Sequence, residues 1–350
     1  MINDKLINPS GIVVVGGSED LLKPGGKILK NIIDGAYTGD LFVVNPKQDT
    51  VQGVKSYRDI RDIPPVDLAI LAIPSKYCLE VVEVLTREKN TLAFIIISAG
   101  FSESGEEGRV LEKEIAGIIE RAGGCLIGPN CIGVVTGSYH GVFTTPVPRL
   151  SERGCDFVSG SGATALFIIE SALPKGLCFS SVFSVGNSAQ TGVEEVLEYW
   201  DLNYVPGISS PIKLIYVESI ANPDKLLHHA SSLIRKGCRI AAIKAGTTEA
   251  GSRAASSHTG AMASSDSAVE ALFRKAGIVR CTGREELTTV ASVFMHKPLN
   301  GRNIAIVTHA GGPAVMLTDA LSAGGMNIPK LETADQEAIL AMMNPGASAV

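Results

Sequence analysis

The octapeptide ASSHTGAM, residues 254–261, sets one imidazole, His258, among side chains too small to pack against it. A core histidine sits among large apolar groups, and a metal-binding one needs further ligands nearby; neither surrounds His258. What the small neighbours do allow is close approach. A neutral imidazole nitrogen can attack phosphorus when its other nitrogen donates to a carboxylate. The phosphoryl group then carries charge on three oxygens and needs helix N-termini or clustered amides around it. The loop SSHTGA meets the steric requirement, although on spacing alone such a histidine is more often an ordinary loop residue than a catalyst. The best carboxylate is Glu218 in LIYVESI, at the C-terminal end of a predicted strand, where parallel α/β sheets place their sites. Pattern alone also allows a surface acid there.

Three stretches run from a strand through small residues into a helix: VVVGGSEDL, FVSGSGATAL and IVTHAGGPAVML. Such turns present unpaired amides and the positive end of a helix dipole, so they favour phosphate or carboxylate. The second spells G-x-G-x-x-A at residues 160–165, which raises a nicotinamide enzyme as a reading. That fingerprint calls for an acid about 20 residues on, gripping the ribose. Here the next strand ends at Asn187, so a dehydrogenase is a poor fit.

The elements that must position these groups alternate along the chain. β-branched runs at 11–16, 41–45, 66–74, 92–98 and 125–130 interleave with helical stretches near 24–35, 76–89 and 105–122. This predicts a doubly wound parallel sheet over residues 1–135. Residues 136–153, rich in turn formers, are predicted as a linker. A second α/β series fills 154–298, and a third begins in 299–350 with too few strands for a sheet of its own.

A length of 350 residues suits more than one core, and a net charge of −5 lacks the basic face of a nucleic-acid binder. No apolar run reaches 18 residues, and the N-terminus carries no signal-peptide pattern, so a cytoplasmic protein is expected. Seven scattered cysteines, none in C-x-x-C, read as reduced thiols.

The segment SSHTGAMASSDSAVEALFRKAGIVR resembles the phosphohistidine segment of the NDP-forming acyl-CoA synthetases, in particular the α-type chain of ADP-forming acetate–CoA ligases. The likeness extends through GIVVVGGS, VVNPK, LAIPS, SAGFSE, LIGPNCIGV, VSGSGATA, SVGN, IYVES and THAGGPAVM. It implies a CoA-binding Rossmann-like domain, a flavodoxin-like ligase domain with the histidine, and the start of a second flavodoxin-like domain. It also implies that acyl-CoA and phosphate give an acyl phosphate, which phosphorylates His258, which in turn phosphorylates ADP. Matched by position, Gly17, Ser18, Asn45, Pro46, Lys47, Ile73, Pro74, Ser98, Ala99 and Asn130 would hold coenzyme A. Ser159, Gly160, Ser161 and Gly162, with Gly186, Asn187, Gly311 and Gly312, would hold the phosphoryl group, and Glu218 would orient His258. No residue is assigned to a metal.

Three departures stand out. Gln190 falls where relatives often carry an aspartate, and GGS replaces the commoner G-A-S in the first turn. No ATP-grasp pattern occurs in the chain, so ADP/ATP and Mg²⁺ are expected on a β-type ATP-grasp partner or on sequence beyond Val350. The alternative from another class is a CoA- or nucleotide-binding regulator without turnover, against which the presence of both His258 and Glu218 argues.

Overall fold

The computed structural model describes residues 1–251, 253, 265–297 and 299–347. The chain divides into two units, Met1–Met295 and His296–Val350.

The first unit opens with α1 (Asp4–Ile7), β1 (Gly11–Val15), α2 (Pro24–Asp34), β2 (Asp40–Val44) and the hairpin β3 (Thr50–Val51) and β4 (Val54–Tyr57). It continues through β5 (Leu68–Leu71), α3 (Cys78–Lys89), β6 (Ala93–Ile96), α4 (Glu106–Arg121) and β7 (Cys125–Ile127). These strands form a sheet in the order β3-β4-β2-β1-β5-β6-β7, parallel except at β3–β4. The chain turns outward on both sides of β1, so the crevice at its C-terminal end is a topological switch point. The strands read as unbroken apolar runs because helices cover both faces; every residue of GIVVV and AFII is buried. On α4, Ile115, Ile118 and Ile119 make the buried stripe expected of a 3.6-residue period.

A second sheet follows from β8 (Gly133–Val135), β9 (His140–Val142), β10 (Leu150–Ser159), α5 (Gly162–Ala172), β11 (Phe179–Ser184), α6 (Val193–Leu202) and β12 (Ile212–Val217). Then come α7 (Pro223–Arg235), β13 (Arg239–Lys244), α8 (Asp266–Ala276), β14 (Val279–Cys281) and α9 (Arg284–Phe294). The order is β14-β13-β12-β10-β11-β8-β9. The stretch expected to be a linker, 136–153, therefore carries β9 and the first residues of β10. β8 and β9 form an antiparallel hairpin added to β11. Its turn is closed by Thr136, whose N–H donates to Tyr139 O at 2.9 Å and whose Oγ1 accepts from Ser138 N at 3.1 Å.

The two sheets are stitched together after β11. Asn187 N donates to Pro129 O at 2.9 Å and Ala189 N to Gly128 O at 3.1 Å. Gln190 Oε1 accepts from Leu126 N at 2.6 Å while its Nε2 donates to Gly124 O at 3.3 Å. Residues 187–190 thus complete the open edge of β7, and Gln190 does so with a side-chain amide in place of a backbone one.

In the second unit, α10 (Gly311–Ala323) and α11 (Thr333–Leu340) accompany a single parallel bridge between Asn303 and Asn327. The strand expected at the start of this series is reduced to that bridge; Val307 is 88% exposed, and among the described residues no sheet pairs the run. All seven cysteines are free. Among the described residues no helix is long and apolar enough to cross a membrane.

Candidate active site

The residues matched to coenzyme A gather at the C-terminal edge of the first sheet. Gly17 and Ser18 follow β1, Asn45–Lys47 follow β2, Ile73 and Pro74 follow β5, Ser98 and Ala99 follow β6, and Asn130 follows β7. The loops are tied to one another. Asn45 Nδ2 donates to Gly17 O at 2.9 Å, Lys47 N to Asn45 Oδ1 at 2.9 Å, and Asn130 N to Ser98 O at 3.0 Å. Ser98 Oγ donates to Ile73 O. Gly16 takes φ +89°, and a Cβ there would stand 2.5 Å from Ala72 O, so only glycine lets β1 and β5 diverge this tightly. The helix beyond, α2, opens on Pro24 with no side-chain cap, which leaves its first amides for an anion.

In the second sheet, the turn Ser159–Gly162 leaves β10 and Glu218 leaves β12; the two strands are neighbours, so both groups meet at one edge. Ser159 is wholly buried and spends its hydroxyl inside the turn, donating to Ser161 O at 2.7 Å and accepting from Ser161 N at 3.2 Å. Ser161 caps α5 by accepting from Thr164 N at 3.4 Å. The amides of Gly162 and Ala163 remain without a partner among the described residues. Four of the eight residues matched to the phosphoryl group lie in this turn, which thus offers backbone amides and no free hydroxyl from Ser159.

Glu218 is half-buried. Its Oε1 accepts from Tyr216 Oη at 3.1 Å, while Oε2 is closed to solvent and has no hydrogen-bond partner among the described residues. Tyr216 lies two residues earlier, within β12, and burial pushes its phenol up to about 12. His258 lies outside the described residues.

Gly186 and Asn187, matched to the phosphoryl group, make close contacts with the first sheet. Gly186 takes φ +52°, and a Cβ there would stand 2.2 Å from Pro129 O. Asn187 Nδ2 donates to Ser102 Oγ at 3.1 Å, Glu112 Oε2 at 2.9 Å and Glu103 Oε2. Its Oδ1 accepts from Asn130 Nδ2 at 3.3 Å. The side-chain amide is therefore fully engaged in joining the second sheet to the SAGFSE loop of the first. Burial opposes ionisation of Glu103, but bonds from Asn187 and from the amides of Gly100 and Phe101 outweigh it and hold the carboxyl below its usual range. The sequence pattern does not single out Glu103, Glu112 or Tyr216. Gly311 and Gly312 open α10 in the second unit, where Ala310 supplies no side-chain cap.

Two family models match in tandem: a CoA binding domain over residues 10–137 and a succinyl-CoA ligase like flavodoxin domain over 152–294. The α subunit of ADP-forming acetate–CoA ligase II from Pyrococcus furiosus is 33% identical over 347 residues, 99% of this chain and 74% of that subunit. The chain belongs to the ADP-forming acid–CoA ligases. Within this family it corresponds to the α-type part. ADP-forming acetate–CoA ligase I of Archaeoglobus fulgidus is 36% identical over 92% of this chain, but the match spans 46% of that longer protein. A dinucleotide-forming acetyl-coenzyme A synthetase 1 from Candidatus Korarchaeum cryptofilum, solved with phosphate and ADP, superposes with a TM-score of 0.84 at 29% identity. That match covers 99% of this chain and 74% of the solved one. Coenzyme A as a substrate and the α/β fold class follow from these findings, and the nicotinamide reading falls.

Proposed function

We propose that this α-type chain interconverts acyl-CoA, phosphate and ADP with a free acid, CoA and ATP, through an acyl phosphate and a phosphohistidine at His258. Phosphate oxygen attacks the thioester carbonyl; the C–S bond breaks and the thiol leaves with a proton. The imidazole of His258 then attacks phosphorus, the carboxylate leaves, and the N–P bond is later broken by the terminal oxygen of ADP. Glu218 accepts the remaining imidazole N–H, and the amides of Gly162 and Ala163 face the phosphoryl oxygens at the start of α5. The observation that carries this reading is the Glu218 carboxylate, pinned on one oxygen by Tyr216 and left with the other buried and unpartnered among the described residues. A buried acceptor in that state costs about 1–3 kcal/mol unless a donor reaches it.

The chain's own residues bind CoA along the first sheet's edge; ADP and Mg²⁺ are held by an ATP-grasp partner, which supplies the charge that phosphoryl transfer to a nucleotide requires. The test is to incubate the chain with acetyl phosphate and, separately, with an ATP-grasp partner plus ATP and Mg²⁺. Intact mass is then read for acid-labile, base-stable phosphate. Label that disappears in His258→Ala is expected. No label under either condition, with CoA still bound, would favour a regulator without turnover.

A further inference from the structure

The tip of the β3–β4 hairpin goes against local preference. Val51 pairs with Val54, so the turn consists of Gln52 and Gly53, and both stand at positive φ, +49° and +81°. Such turns take asparagine, aspartate or glycine at the first position, because a short polar side chain or none tolerates the left-handed conformation. Glutamine, one methylene longer than asparagine, has no such advantage. A backbone held in a sparsely populated conformation against its own residue type points to something that side chain does elsewhere.

The amide of Gln52 reaches across to the turn between β1 and α2. Its Nε2 donates to Ser18 O at 2.7 Å and to Gly26 O at 2.9 Å, and its backbone N–H donates to Glu19 Oε1 at 2.6 Å. Ser18 lies where the chain leaves the sheet, and Gly26 lies in the first turn of α2, so one amide ties the entry of the turn to its exit. The turn is folded back closely, since a Cβ at Gly26 would stand 2.2 Å from Asp20 O. Its internal bonds are short-range: Asp20 N donates to Ser18 Oγ at 3.1 Å, and Leu22 N to Asp20 Oδ1 at 2.9 Å. Gln52 Oε1 is closed to solvent and has no hydrogen-bond partner among the described residues, so the amide is held in place by its donors alone. Asparagine at this position would suit the hairpin better, and its amide would fall one methylene short of both carbonyls.

We infer that Gln52 is a positioning residue for coenzyme A: it holds the β1–α2 turn, with Gly17, Ser18 and the uncapped start of α2, in the shape that receives a CoA phosphate. The inference rests on the placement of CoA along the first sheet's edge proposed above. A turn held ready in this way lowers the ordering cost of binding, and no atom of Gln52 has to touch the ligand.

Coenzyme A is titrated into the full chain, with urea unfolding and amide hydrogen exchange read on the same samples. Gln52→Asn is expected to weaken CoA about fivefold or more, the effect of losing one or two neutral hydrogen bonds. The urea midpoint is expected to stay the same or rise, because asparagine favours the hairpin turn. Residues 18–26 exchange faster in the free variant. Gln52→Gly, which also suits the turn and has no side chain to reach across, gives the same pattern. Unchanged CoA affinity in both variants overturns the inference. So does an affinity that falls only in step with the urea midpoint in both, which is the mark of a role in folding alone. Wild-type chain is exchanged with and without CoA in parallel. Protection of residues 16–26 by CoA, with no effect of either substitution, overturns the inference alone; no protection there overturns the placement of CoA along with it.

Discussion

At the scale of single residues, a carboxylate that orients an imidazole must be ionised, fixed and short of partners. Glu218 has the last two properties, because Tyr216 fixes one oxygen and leaves the other buried. Glu218→Gln keeps shape and burial but presents an amide that can meet the imidazole with its own N–H. Phosphohistidine formation is expected to slow by about a hundredfold or more, read as the rate of mass gain with acetyl phosphate, while CoA affinity stays within twofold. Equal labelling rates would exclude an orienting role. The place of Glu218 just after β12 was legible in the sequence, because the apolar run LIYV marks the strand that ends there. Lys244, buried at the C-terminal end of β13, was not, since its burial comes from the fold and not from the pattern of IAAIK. Nor were Glu103 and Glu112, two of many acids around α4; only the fold brings them to Asn187.

At the scale of elements, the apolar runs and the helical periods located most strands and helices to within a few residues. The misses share a cause. β8 and β9 have three residues each and are antiparallel, so they carry no crossover helix to announce them. Helix packing also hides polar structure: Asp201 of α6 accepts from Lys236 Nζ at 2.8 Å and pairs with His229 Nδ1 at 2.8 Å, both brought by α7 and the turn after it. Burial opposes its ionisation, but these bonds prevail and hold the carboxyl below its usual range. Its folded pKa thus lies under the unfolded value of about 3.9. The contribution to stability is present above that value and is lost as pH falls through the folded one. In urea unfolding, Asp201→Asn is expected to be less stable by about 1–3 kcal/mol at pH 6. The gap should close below pH 4; a gap constant with pH would mean that packing, not charge, sets it.

At the scale of the molecule, the unit Met1–Met295 holds two sheets that meet through Asn187 and Gly186. A single side-chain amide facing two carboxylates and a hydroxyl is a strong joint only while all are satisfied. Asn187→Leu removes the donor and leaves Glu103 and Glu112 facing an apolar group. Amide hydrogen exchange is expected to accelerate in the SAGFSE loop and in residues 126–130, and CoA affinity to fall several-fold. Unchanged exchange in both segments would show that the joint does not depend on Asn187.

The edge hairpin bears on how this chain is made. β8 and β9 leave the ribosome before β10 and β11, yet β8 pairs with β11. From Val142 to Ser184 is 42 positions (184 − 142), about 2–8 s of synthesis at ordinary rates. Through that interval the first sheet can close while the hairpin beside it waits for the strand it will flank. The speed at which codons 143–184 are read therefore sets how long an unpaired strand edge is presented to chaperones and to neighbouring nascent chains.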